Sequence, residues 1–146
     1  MKIGIASDHR GYQLKEQIIN ALKESYEIID CGTTGEDSVD YPDYAFLLSK
    51  KVKDNEIDFG VAICGSGIGI SIACNKVKGI RCAKVSNIEE AKYTRQDNDA
   101  NIIAFSADTK VDDAISYVKT FVETPFSNEE RHQRRINKIT EYEENN

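Results

Sequence analysis

At 146 residues, with 40% hydrophobic and 30% charged side chains, the chain has enough apolar material for one packed core and no bias toward a disordered or fibrous protein. Its formal net charge of −6 argues against a general nucleic-acid or membrane-surface binder, and no apolar stretch approaches the length of a membrane span. Cys31, Cys64, Cys74 and Cys82 show no CxxC spacing, the two histidines are far apart, and the N-terminus runs straight into a strand; together these speak against a disulfide frame, a zinc site or a signal peptide and for reduced thiols in a cytoplasmic protein.

Apolar runs alternate with helical patterns from end to end, without a Pro/Ser-rich linker or a repeat, so one layered α/β unit over 1–146 is the expected organisation. Lys2 to Ala6 reads as a first strand. Gly11 to Glu24 reads as a helix that buries Leu14, Ile18, Ala21 and Leu22 and turns Lys15, Glu16 and Lys23 to water. Tyr26 to Cys31 is a second strand, and after the turn Gly32 to Ser38, Asp40 is placed to cap a helix with Pro42 in its first turn and Leu47, Leu48 and Val52 as its buried stripe. A third strand ends at Cys64, and Ile68 to Lys76 continue as a helix. Arg81 to Val85, a helix opened by Asn87 with Glu90 at capping-box distance, and Asn101 to Phe105 complete five strands. Two helices close the chain. One starts near Thr109 with Asp112 in its first turn and buries Ala114, Ile115, Val118 and Val122; the other runs from about Asn128 to Glu144, and its thin apolar stripe of Ile136, Ile139 and Tyr142 suits packing across a second subunit.

Strands alternating with helices imply a parallel sheet covered on both faces, with ligands bound beyond the carboxyl ends of the strands. That rule gathers Ser7-Asp8-His9-Arg10, Cys64 to Gly69 and Ser106-Ala107-Asp108 at one edge, next to the segment Thr94 to Asp99 that precedes the last strand. Within Cys64-Gly65-Ser66-Gly67-Ile68-Gly69, alternate glycines let the backbone turn tightly, and free N–H groups at a helix start favour anions, including a thiolate. Cys64 is thereby a candidate base or nucleophile; the alternative is a small buried hydrophobe beside a turn that only brings helix and sheet together. The letters exclude a CxxxxxR phosphatase loop and a GxxxxGK nucleotide loop, and Ile70 stands where a GxGxxG dinucleotide turn needs glycine. Arg131 and Arg135, at i, i+4, can either clamp one phosphate or form a solvated basic face paired with Glu129, Glu130 and Glu141.

Taken in order, SDHRG, DYPDYA, ICGSGIGISIACNK, TRQDNDANIIAFS and RHQRR resemble the ribose-5-phosphate isomerase B family, which also includes galactose-6-phosphate and allose-6-phosphate isomerases; the resemblance runs from Met1 to about Tyr142. It implies a Rossmann-like three-layer α/β/α fold with a five-stranded parallel sheet and an extended C-terminal helix. It also implies a metal-free, cofactor-free aldose–ketose isomerase of carbohydrate metabolism, working through an enediolate, with ribose 5-phosphate of the pentose phosphate pathway as first expectation. The active site would be shared between the subunits of a homodimer or a dimer of dimers. In the family frame Cys64 is the base, Gly65, Ser66, Gly67, Ile68 and Gly69 form the anion hole, and the Ser66 hydroxyl relays a proton between O1 and O2. Asp8, His9 and Asn98 contact substrate, Arg131 and Arg135 hold the phosphate, and His132 has no assigned role.

Two positions depart from that pattern. Asp97 stands where most members carry a ring-opening histidine, and an aspartate accepts a proton more readily than it gives one at neutral pH. Ring opening would then fall to a tuned Asp97 or to His9, or the substrate would arrive open-chain. Asp108 stands where many members carry a phosphate-binding arginine, and Arg10 is a candidate replacement in the same cleft.

Overall fold

The computed structural model describes residues 1–146. The chain alternates β1 (Lys2–Ser7), α1 (Tyr12–Leu22), β2 (Glu27–Asp30), α2 (Tyr41–Lys53), β3 (Phe59–Cys64), α3 (Ile68–Cys74), β4 (Cys82–Lys84), α4 (Ile88–Asn98) and β5 (Ile102–Ser106), and ends with α5 (Val111–Glu123) and α6 (Glu130–Glu144). All strand pairs are parallel, in the order β2-β1-β3-β5-β4, so this is a Rossmann-like three-layer α/β/α fold with a long C-terminal helix. The apolar runs of β1, β3 and β5 are continuous because both faces of the sheet are covered.

The two faces differ in side-chain size. Ile3, Ile5, Val61, Ile63, Ile103 and Phe105 project toward α1, α4 and α5 and meet Leu14, Ile18, Ala91, Val118 and Phe121. Their alternates, Gly4, Ala6, Gly60, Ala62, Cys64 and Ala104, are small, and α2 and α3 press close upon them. A Cβ on Gly4 would stand 2.9 Å from a Leu48 methyl, so the sheet needs glycine there for α2 to approach. The same alternation directs the Cys64 side chain to the α2–α3 face.

Three sequence expectations about exposure are corrected. Lys15 is fully buried, because the helix turns it under the end of β2, where its ammonium lies 2.8 Å from Glu16 and 2.9 Å from Asp30. Ala21 is exposed, because α1 rests on the sheet through Leu14, Ile18 and Leu22 alone. On α2, Leu47 is 44% exposed and the buried stripe is Ala45, Leu48, Ser49 and Val52, the i, i+3, i+4 and i+7 positions of a helix face. Asp40 is the residue before α2 but makes no side-chain cap, whereas Asn87 caps α4 by accepting from the Glu90 amide at 2.8 Å. The Glu90 carboxylate reaches back to the Ser86 amide, one residue before the expected capping-box partner.

Candidate active site

The parallel register brings Ser7, Cys64 and Ser106 into one row at the carboxyl edge, with Ser7 opposite Ile63 and Ser106 opposite Cys64. The loops after β1, β3 and β5 are then stitched together: the Asp8 amide donates to the Ile63 carbonyl at 3.2 Å, the Ala107 amide to the Cys64 carbonyl at 2.9 Å, and the Ser106 hydroxyl to the Gly65 carbonyl at 2.7 Å. Cys64 is 4% exposed and reduced, beside a turn whose Gly65, Ser66 and Gly67 amides have no hydrogen-bond partner in the chain. Gly67 has φ of +80° and would set a Cβ 2.6 Å from the Phe105 backbone, so only glycine fits this turn. The Ser66 hydroxyl accepts from the Ile68 amide at 3.1 Å and keeps its own proton to donate.

Around this turn stand the residues after β1. Asp8, 5% exposed, accepts the Arg10 and Gly11 amides on Oδ1 at 3.0 and 3.1 Å, which leaves Oδ2 for another donor. His9 accepts the Val39 amide on Nδ1 at 3.1 Å, so the neutral ring carries its hydrogen on Nε2. His9 and Arg10 line a cavity of about 310 Å³, and the Arg10 guanidinium lies so close over Gly65 that a Cβ there would be 2.6 Å from it. Arg10, the candidate replacement for the arginine missing at Asp108, is thus placed over the glycine turn by the loop between β1 and α1. Asp108 also sits at this edge, its amide donating to the Ser106 hydroxyl at 3.0 Å.

The remaining candidates lie elsewhere. In a right-handed crossover α4 runs back against the strands, so its last turn, with Asp97 and Asn98, reaches the amino edge of the sheet. There the Asn98 carbonyl accepts from Arg81 at 2.8 Å, and Asn101 donates its amide to Arg81 and accepts from Gly60 at the start of β3. The expectation that Thr94 to Asp99 lies next to the carboxyl-edge loops is therefore corrected: the length of β5, about 17 Å at 3.3 Å per residue, separates them. The start of α6 joins this second group, with the Ser127 amide on the Gln96 carbonyl and His132 Nε2 3.5 Å from Asp97 and 3.6 Å from Glu129. Arg131 is exposed and pairs with Glu129, and exposed Arg135 has no partner, while neighbouring Arg134 is tied to Glu130 at 2.9 Å.

One chain thus holds two groups of candidate residues at opposite edges of its sheet. The carboxyl edge has Asp8, His9, Arg10, Cys64, Ser66 and the glycine amides; the amino edge has Asp97, Asn98, Arg131, His132 and Arg135. No group of three or more His, Cys, Asp and Glu side chains is arranged to hold a metal ion. His132 has no role legible in the sequence and Lys15 reads there as a surface charge; a lysine within a helix carries no signal of burial until its carboxylate partner on the next strand is known.

Comparison with known proteins agrees with this architecture. The ribose/galactose isomerase family model matches residues 3–139. A putative sugar phosphate isomerase of Bacillus subtilis, YwlF, is 46% identical over 150 residues, covering 100% of this chain and 99% of the relative. Ribose-5-phosphate isomerase B of Clostridium thermocellum superposes with a TM-score of 0.95 at 48% identity, over 99% of both chains. The Mycoplasma genitalium ribose-5-phosphate isomerase B, solved with bound ribulose-5-phosphate, gives 0.93 at 40% identity over 99% of this chain and 97% of that one. With the family pattern matched over nearly the whole chain and the fold shared at these identities, this chain belongs to the ribose/galactose isomerase family.

Proposed function

We propose that this chain interconverts ribose 5-phosphate and ribulose 5-phosphate through an enediolate, in the pentose phosphate pathway of the cytoplasm. The observation that carries the reading is Cys64 at the end of β3 beside the unpartnered Gly65 to Gly67 amides, in a chain of this family. Cys64 takes the proton from C2 and returns it to C1, the amides hold the negative oxygen, and the Ser66 hydroxyl moves a proton between O1 and O2. Asp8 and the Nε2–H of His9 bind sugar oxygens. Asn98 of a second copy also contacts the sugar, and Arg131 and Arg135 of that copy hold the phosphate, with Arg10 adding a cation from the carboxyl edge.

A homodimer, alone or doubled, is supported by the separation of the two groups of candidate residues, since residues at opposite ends of one sheet meet only when a second copy is placed against the first. Exposed Ile68 and Ile72 beside the glycine turn and exposed Ile139 and Tyr142 on α6 supply apolar surface for such an interface. The cytoplasmic reading is supported by four free cysteines.

A panel of phosphorylated tetroses, pentoses and hexoses, followed by solvent-deuterium exchange at C2 with the purified protein alone, tests the reading. Fastest exchange is expected with ribose 5-phosphate. Faster exchange with galactose 6-phosphate or allose 6-phosphate would move the substrate to a hexose. Binding without exchange on any sugar would mark a silent sugar-phosphate-binding subunit.

A further inference from the structure

A furanose ring must open before the C2 proton becomes acidic: the O1 proton leaves as C1=O1 forms, the C1–O4 bond breaks, and O4 takes up a proton. That step needs a group able to carry and release a proton near neutral pH, and the two groups of candidate residues contain only two histidines. His9 is unsuited to it. Its Nδ1 is occupied by the Val39 N–H, so the neutral ring holds a single proton on Nε2 that it cannot give up without becoming an imidazolate.

His132 has the opposite setting. Its side chain is 12% exposed, and Nε2 lies 3.5 Å from Asp97 Oδ1 and 3.6 Å from Glu129 Oε2, so two carboxylates face one ring nitrogen and hold the ring in place. His132 shares the inward face of α6 with Ile136, which is 6% exposed, while Arg131 and Arg135 stand on the adjoining face. The ring is therefore held next to Arg131 and three residues before Arg135, the two arginines assigned to the phosphate.

We propose that His132 is the ring-opening acid of this enzyme, with Asp97 as the carboxylate that positions it. The proposal rests on the shared-site reading above. The imidazolium gives its proton to O4 as C1–O4 breaks, the O1 proton passes to water, and solvent reprotonates the ring, so protons balance over the step. Asp97 is a positioning residue: the aspartate at this position acts by holding a histidine contributed by α6 rather than by donating a proton itself.

The test compares a substrate that cyclises with one that cannot. In erythrose 4-phosphate the C4 oxygen carries the phosphate, so no furanose forms and no ring has to open. His132→Asn should lower kcat for ribose 5-phosphate by about 10²-fold or more while erythrose 4-phosphate changes by less than about threefold. With ribose 5-phosphate deuterated at C2, the isotope effect on kcat should fall toward one in the variant, because ring opening becomes limiting. That readout decides alone if the wild type is slow on the tetrose. Asp97→Asn should show the same split at roughly tenfold, and Asp97→Glu should recover most of it. No loss on ribose 5-phosphate, or a loss with the isotope effect retained, overturns the proposal. A wild-type protein inert toward ribose 5-phosphate overturns the functional reading instead and this assignment with it.

Discussion

Cys64 combines three local conditions at one residue: it ends a buried strand, it lies on the small-residue face beside α3, and it adjoins amides with no partner of their own. Removing the thiol takes away the proposed proton carrier and only a small volume. Cys64→Ala should therefore lower kcat by about 10²–10⁴-fold with an unchanged far-UV spectrum and melting temperature, and a variant retaining wild-type turnover would refute the base assignment. Arg10 makes a separate claim on the same loop. Its guanidinium lies over Gly65, so Arg10→Ala should raise KM for the sugar phosphate by about tenfold with little change in kcat, which initial-rate kinetics resolve. An unchanged KM would remove Arg10 from the phosphate site.

At the scale of elements, α1 is fastened to the end of β2 by Lys15. Its ammonium bonds Glu16 and both Asp30 oxygens and lies 5.1 Å from the Tyr12 ring centre; Asp30 also accepts the Gly32 amide, and the Gly32 carbonyl accepts the Ser7 amide just before Asp8. Lys15→Met should cost about 1–3 kcal/mol in urea unfolding, below the full cost of breaking a buried pair because Asp30 and Glu16 are half-exposed and regain water. Alkaline pH acts on the same region. Burial pulls the Lys15 ammonium down, but its bonds to Asp30 and Glu16 outweigh that and raise it; burial pushes the Cys31 thiol up to about 11, and the hydrogen bond to Glu123 pushes Tyr26 up to about 12. In all three the folded state holds its proton more tightly than the unfolded chain. Their stabilisation is present below about pH 9 and is lost as pH climbs through 11 to 12, so the urea midpoint should fall over that range, and Tyr26→Phe should flatten its upper part. A midpoint that rises with pH would contradict these contacts.

For the whole molecule, the decisive fact is that α4 and α6 carry their polar residues to the amino edge of the sheet while β1, β3 and β5 deliver theirs to the carboxyl edge. Two inactive variants, Cys64→Ala and Arg131→Ala, should then complement each other. Half of randomly mixed dimers are heterodimers, and each has one site with Cys64 from one chain and Arg131 from the other. Co-expression should restore about a quarter of wild-type activity per chain. Additive residual activity would mean that each site is built within one chain.

The order of elements, the parallel sheet, the strand-end position of Cys64 and the helical pairing of Arg131 with Arg135 were legible in the sequence, because periodicity and glycine spacing are local properties of the chain. The burial of Lys15, the exposure of Leu47 and the contact of His132 with Asp97 were not. Each depends on which element lies opposite, and residues 35 apart in sequence meet only after α6 has folded back on α4. The same reason separates the two groups of candidate residues. Sequence order says which strand precedes which loop, but only the handed crossover of α4 decides that Asp97 and Asn98 end about one strand length from the Cys64 they would serve.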